Sequence, residues 1–157
     1  MSDAGIWSNE WGPQPEDWSG GGGRSRRLVP SGPFLGATLY ELERGDFTVF
    51  HFHHGSDELL LVLRGRPTLR TADGERTLAE GEVVHFPPGP DGAHAIRNDG
   101  DEPVRYVVAG TRVSPEVVEY PDLGQLTVQS RLPAQTGEPL FAIHTLASGE
   151  GGGDGGT

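Results

Sequence analysis

His51 and His53, separated by one residue, are the side chains of this sequence best suited to hold a metal ion. Side chains alternate along an extended strand, so both imidazoles leave one face about 7 Å apart, a spacing that lets two ligands converge on one ion. Glu58 follows after a short turn containing Gly55 and brings a carboxylate to the start of the next antiparallel strand. His94 opens a later strand, beyond Pro87-Pro88-Gly89-Pro90-Asp91-Gly92. Three imidazoles and a carboxylate form a nitrogen–oxygen set that suits Mn, Fe(II), Ni, Co or Zn better than copper(I) or an iron–sulfur cluster. The chain has no cysteine, which excludes thiolate ligands, disulfides and cysteine nucleophiles. A lone His-x-His pair also occurs as ordinary surface polarity, so the case for a site needs a wider pattern.

The elements that would position these residues are short strands. From Phe34 onward, brief apolar runs are broken by turn residues such as Arg44-Gly45, Gly55-Ser56-Asp57, Glu80-Gly81 and Asn98-Asp99-Gly100. Strands are expected over 36–43, 46–53, 58–64, 67–72, 75–79, 82–87, 94–98, 103–110, 116–120 and 125–130. Asp73-Gly74, flanked by Thr71 and Thr77, predicts a hairpin. No stretch holds a 3.6-residue period for three turns, so the chain is expected to be all-β, a sandwich or barrel. Alternation places Phe47, Val49, His51 and His53 on one face, with Thr48, Phe50 and Phe52 on the other. Leu60, Val62 and Ile96 join Phe47 and Val49 as the expected inner lining. Phe50, Phe52, Leu59, Leu61 and Leu63 then form a second apolar face, which calls for a covering layer, either the Trp-bearing arm or the partner subunit of an expected homodimer.

At 157 residues, with a net charge of −11 and 34% hydrophobic residues, the chain has room for one domain with a core. All twelve basic residues are arginines, outnumbered by 23 acidic ones, which argues against a nucleic-acid or membrane-surface role. Residues 1–33 read as an irregular arm carrying Trp7, Trp11 and Trp18. In it Arg24-Ser25-Arg26-Arg27 has the look of a solvated linker. Residues 34–146 form the expected barrel and 147–157 a disordered Gly-rich tail. Neither a secretory leader nor a bilayer-length apolar run is evident, so a soluble cytoplasmic protein is expected.

The spacing Gly45, five residues, His51-x-His53, four residues, Glu58, six residues, Gly65 resembles the first motif of the cupin superfamily. Gly81, five residues, Pro87-x-Gly89, a turn, His94, three residues and Asn98 resemble the second. The usual second motif has two residues between the Gly and the His, where this chain has four, Pro90 to Ala93. With its flanking strands the likeness spans about 36–130. LVLRGRPTLRT from Leu61, FPPGPDGAH from Phe86 and YPDLG from Tyr120 are similar to stretches of small single-domain bacterial cupins of largely unassigned function. The resemblance implies a double-stranded β-helix, or jelly-roll barrel, with a divalent metal on His51, His53, Glu58 and His94. It implies no particular reaction. Two functions stay open: an enzyme acting through the metal on a small oxygenated acid, enol or sugar-like molecule, or a non-catalytic module for an oxalate-like metabolite. His54, His85, His144, Arg70 and Arg97 fit neither motif as ligands, and no catalytic residue is assigned.

Overall fold

A computed structural model describes residues 23–29, 32–133 and 137–146. The tryptophans of the arm and the tail from 147 lie outside the described residues. The strands are β1 (Arg24–Arg27), β2 (Leu35–Leu42), β3 (Phe52–His53), β4 (Glu58–Arg64), β5 (Thr68–Thr71) and β6 (Gly74–Thr77). They continue as β7 (Val83–Phe86), β8 (His94–Arg97), β9 (Val104–Thr111), β10 (Glu116–Tyr120), β11 (Gln125–Pro133) and β12 (Pro139–Thr145). Two single 3-10 turns, Pro90–Gly92 and Pro121–Leu123, are the helical elements among the described residues. The all-β expectation is met.

One sheet runs β1-β2-β9-β4-β7. The others run β12-β11-β10-β3 and β6-β5-β8, and the stretch from Gly45 to His53 joins them. That stretch was expected as one strand over 46–53, yet β3 covers two residues of it. The rest lies along β8 through spaced bonds: Thr48 N to the Ile96 carbonyl at 2.8 Å, His51 N to the His94 carbonyl at 3.1 Å, and His94 N to the His51 carbonyl at 2.9 Å. Strict alternation therefore fails here. Phe47, expected inside, is 45% exposed, whereas Thr48 turns its hydroxyl to the backbone of Ile96 and reaches the barrel interior.

The interior is built by register. On β2, β9 and β4 the rungs read Tyr40–Tyr106–Val62, Thr38–Val108–Leu60 and Gly36–Gly110–Glu58. Leu42, Leu60, Val62, Leu69, Leu78, Phe86, Ile96, Val104 and Tyr106 close one end as a continuous core. Each fully buried aliphatic side chain there contributes about 1.5–3 kcal/mol. The apolar column ends where Gly36 and Gly110 replace it, leaving the other end open.

Two outer regions differ from expectation. Arg24–Arg27 pairs along β2 from Glu41 to Thr38, and Arg24 and Arg105 both engage the buried Glu41. Pairing and charge hold this strand, since it has no apolar face to signal it. Phe50 and Phe52 are covered within the chain, packed with Ala93 and Ala95, and the Arg70 guanidinium lies 4.0 Å above the Phe50 ring. The outward apolar face therefore reduces to exposed Leu59 with the half-buried Leu61 and Leu63. The expected hairpin forms between β5 and β6, with Thr71 paired to Gly74.

Candidate metal centre

Local chain geometry brings the four residues together. His51 and His53 end the irregular stretch, and Glu58 is the first residue of β4. Across from Glu58 sits Gly110, where a Cβ would fall 2.8 Å from the Asp57 carbonyl and 3.1 Å from Glu58 Cγ. Gly110 therefore gives the Glu58 side chain its room. His94 follows the Pro90–Gly92 turn, the two-residue lengthening seen in the sequence. That turn folds tightly on itself: a Cβ on Gly92 would sit 1.8 Å from the Pro87 carbonyl oxygen. The added residues form a compact loop, and His94 still enters β8 facing His51.

Each histidine is oriented through its Nδ1. That of His51 lies 2.8 Å from the Val49 carbonyl and that of His94 lies 2.9 Å from the Gly92 carbonyl. A carbonyl oxygen only accepts, so both Nδ1 atoms carry hydrogen and both Nε2 atoms keep a lone pair. His53 Nδ1 is 3.1 Å from Glu116 Oε1, and Ser56 Oγ donates to the other Glu116 oxygen at 2.5 Å. Fixing one ring nitrogen with an acceptor and leaving the other for the ion is how histidine ligands are held.

The Nε2 atoms face Glu58. His53 Nε2 is 3.2 Å and His94 Nε2 3.6 Å from Glu58 Oε2. His51, His53 and Glu58 each offer one ligand atom within 4.8 Å of the others. A cation bound at about 2.0–2.2 Å from each donor fits between atoms so spaced. His94 borders this trio: its ring centroid is 4.7 Å from that of His51, and its other face stacks on Phe86 at 3.7 Å. Glu58 Oε2 is buried and makes no aligned hydrogen bond. An orphaned carboxylate oxygen among imidazole nitrogens suits a divalent ion.

Charge is distributed unevenly. Burial, and then the neighbouring histidine, depress both His51 and His94, the latter to about 4, so both are neutral at pH 7. Burial also works against a charged His53, but the hydrogen bond to Glu116 and the charges of Glu58 and Glu116 outweigh it and push the ring up to about 9. Burial would raise Glu58, but the facing His53, with His94 and His51, holds it below the usual carboxylate range.

These groups line a cavity of about 240 Å³ together with Tyr40, Tyr106, Tyr120, Thr48, Val108 and Ile96. Tyr106 is 1% exposed, and its hydroxyl has no hydrogen-bond partner. Burial raises Tyr106 and Tyr120, and burial with the Glu58 charge raises Tyr40 to about 12, so all three phenols are neutral. Glu116, Ser56 and Tyr106 were not singled out in the sequence. Parity offered a signal for two of them: Glu116 shares a face with Val118 and Tyr120, and Tyr106 shares one with Val104 and Val108.

The other polar candidates lie elsewhere. His54 pairs with Glu119 at 3.1 Å and His85 with Asp57 at 2.8 Å, both exposed. His144 lies on β12 opposite Leu126. Arg70 bonds Asp122 at 2.9 Å, and Arg97 bonds Glu75 and Asp99. None of the five joins the cluster.

A barrel of facing sheets with such a histidine–glutamate pocket at its open end defines a class of jelly-roll β-barrels. Residues 38–110 match the family described as Cupin domain. The chain is similar to the solved structure of a sugar phosphate isomerase of the cupin superfamily from Silicibacter pomeroyi DSS-3. Identity is 30%, the match covers 79% of this chain and 76% of that one, and the TM-score is 0.69. It is also similar to a candidate sugar phosphate isomerase from Acidithiobacillus ferrooxidans, at 29% identity, with 76% and 75% of the two chains covered and a TM-score of 0.65. No curated protein matches the chain by sequence. The chain belongs to the cupin superfamily, and its fold is that superfamily's jelly roll.

Proposed function

We propose that this barrel binds one divalent metal through His51, His53, Glu58 and His94 and holds a small oxygenated metabolite against it. One observation carries the reading. Among the described residues, the buried side-chain polar atoms without hydrogen-bond partners are Glu58 Oε2 and Tyr106 Oη, and both residues line this one cavity. Leaving the Tyr106 hydroxyl unpaired costs about 1–3 kcal/mol, and Glu58 Oε2 has the His53 charge at 3.2 Å without an aligned hydrogen bond; a ligand oxygen and a cation would satisfy the two. When bound, the metal (Mn, Fe(II), Ni, Co or Zn by donor type) would supply Lewis-acid polarisation of the ligand's oxygens. The Tyr106 hydroxyl would donate to a ligand oxygen, and Val108 and Ile96 would exclude water from that contact.

The similarity to sugar phosphate isomerases supports a phosphorylated sugar as ligand and isomerisation as the reaction. A second reading, a binding module without turnover, is favoured by the cavity's titratable groups. Apart from the four proposed ligands they are the phenols Tyr40, Tyr106 and Tyr120, neutral at pH 7 and therefore poor bases. The experiment is elemental analysis of the purified chain, followed by incubation of the metal-loaded protein with aldose and ketose phosphates. Interconversion that is lost in His94→Ala supports the enzyme. Saturable binding without turnover supports the module, and a chain with no divalent-metal affinity removes both.

A further inference from the structure

We propose that the open end of the cavity is an anion subsite, in which Arg27, Arg112 and Arg131 receive a phosphate-like dianion carried by the ligand. The inference rests on the ligand-binding reading above and adds the residues that would receive the ligand's charged end.

The argument starts from charge pairing in an acidic chain. Arg24, Arg44, Arg70, Arg76, Arg97 and Arg105 each pair with a carboxylate. Arg64 and Arg66 have no carboxylate partner among the described residues, and neither do Arg27, Arg112 and Arg131, although acidic residues outnumber arginines nearly two to one. These three come from separate parts of the fold, β1, the end of β9 and β11, and converge on one hollow. Three positive charges gathered around the one carboxylate of Glu116, itself tied to His53 and Ser56, leave a net positive hollow, and an anion between the arginines relieves their repulsion.

The hollow is continuous with the metal centre. A space of about 260 Å³ is bounded by Tyr40, His53, Glu58 and Val108 on its inner side and by Arg112 and Arg131 on its outer side. Beyond it, about 230 Å³ lies between Arg27, Arg112, Arg131, Gln129, Ser130 and Glu116, whose two carboxylate oxygens are taken up by His53 and Ser56. The passage is open because Gly36 and Gly110 face each other across β2 and β9. A Cβ on Gly36 would fall 2.9 Å from Arg112 Nε, so this glycine also lets the guanidinium lie flat on the strand. Arg112 is anchored by donating to the Gly32 and Val29 carbonyls at 3.1 Å each, which leaves further N–H groups for a ligand. Burial, then the charges of Arg131 and Arg27, hold the Arg112 pKa below its ordinary value, as expected for crowded cations.

The carboxylates lining this space are Glu58 and Glu116, and both are engaged with the histidines. One carboxylate is matched by a single bidentate arginine, whereas three guanidiniums from different directions fit a tetrahedral group with two charges and several acceptors. A ligand of a few carbons would span the shared cavity, with oxygens toward the metal centre and the dianion at the rim.

The test is a calorimetric titration of inorganic phosphate into the full chain, as wild type, Arg27→Gln, Arg131→Gln and the double variant, with acetate as a monoanion control. Both substituted side chains are exposed, so folding is expected to survive, and thermal melts of each sample check it. The expected result is saturable phosphate binding in the wild type, about tenfold weaker in each single variant, and little acetate binding. Wild-type-like phosphate binding in the double variant, or no binding in the wild type, would overturn the subsite. Elemental analysis of the same samples separates the two readings. Metal retained without phosphate binding removes the rim alone, while arginine-dependent phosphate binding in a chain with no metal affinity removes the metal centre alone.

Discussion

His53 Nε2 lies 3.2 Å from Glu58 Oε2, yet the two are not aligned for a hydrogen bond. The other nitrogen of the same ring is tied to Glu116, itself held by Ser56. His53 thus stands between two carboxylates, and something cationic belongs on its Glu58 side. In the metal-free chain that cation is a proton. In the proposed function it is the metal.

Metal binding should therefore release about one proton per chain near pH 7, from His53, because His51 and His94 are already neutral. The measure is calorimetry in two buffers of different ionisation enthalpy. Affinity should begin to weaken as pH falls through about 9, well above the usual histidine range near 6 that composition alone suggests. Equal heats in the two buffers at pH 7 would count against a protonated His53.

The same groups set the stability of the metal-free chain in opposite directions. His53 binds its proton more tightly when folded, so its contribution is complete below the unfolded value of about 6.5 and is lost as pH rises through about 9. His94 resists protonation when folded, so its contribution is present above about 6.5 and lost as pH falls toward 4. Thermal melts of the chelated protein should peak between these limits. A melting temperature rising steadily through pH 9 would contradict the assignment of His53.

Glu116→Gln should weaken metal affinity by about 10- to 100-fold while the barrel stays folded, since it disturbs how His53 is held and touches no proposed ligand contact. A competition titration with a fluorescent chelator reads this. Unchanged affinity would show that Glu116 does not orient the ring.

Tyr106→Phe should leave stability unchanged or raise it by about 1 kcal/mol, because it deletes a buried hydroxyl with no partner. Ligand affinity should fall in the same variant. Denaturant unfolding and ligand titration together separate this from a structural role, in which stability would drop.

Gly110→Ala should displace Glu58, since the added methyl group meets the Asp57 carbonyl at 2.8 Å, immediately before neighbouring β4. Loss of metal affinity exceeding any loss of melting temperature is the expected pattern. A variant that keeps full affinity would show that Glu58 needs no such space.

His51, His53 and Glu58 were legible in the sequence because eight consecutive positions carry their spacing and alternation. His94 was legible from a second local pattern, and its longer turn proved to be a compact loop around Gly92. Glu116 and Tyr106 were harder to see because distant strands deliver them: β10 brings Val118 opposite His53, and β9 threads between β2 and β4. Strand β1 gave no apolar signal, being held by pairing to β2 and by Glu41. Strand β12 gives no sequence signal because Phe141 and Ile143 point outward, each 59% exposed, without the polar alternation of a half-buried strand. Alternation does not place Phe47 because the stretch before His51 follows β8 through spaced bonds, where a period of two fails.

The most direct test of the metal centre is the stoichiometry of a divalent-metal titration on the wild type and on His53→Ala and Glu58→Ala. One ion per wild-type chain, and strongly weakened binding in both variants with melting curves that remain cooperative, is the predicted result. No binding by the wild type, or equal binding by all three proteins, would contradict it.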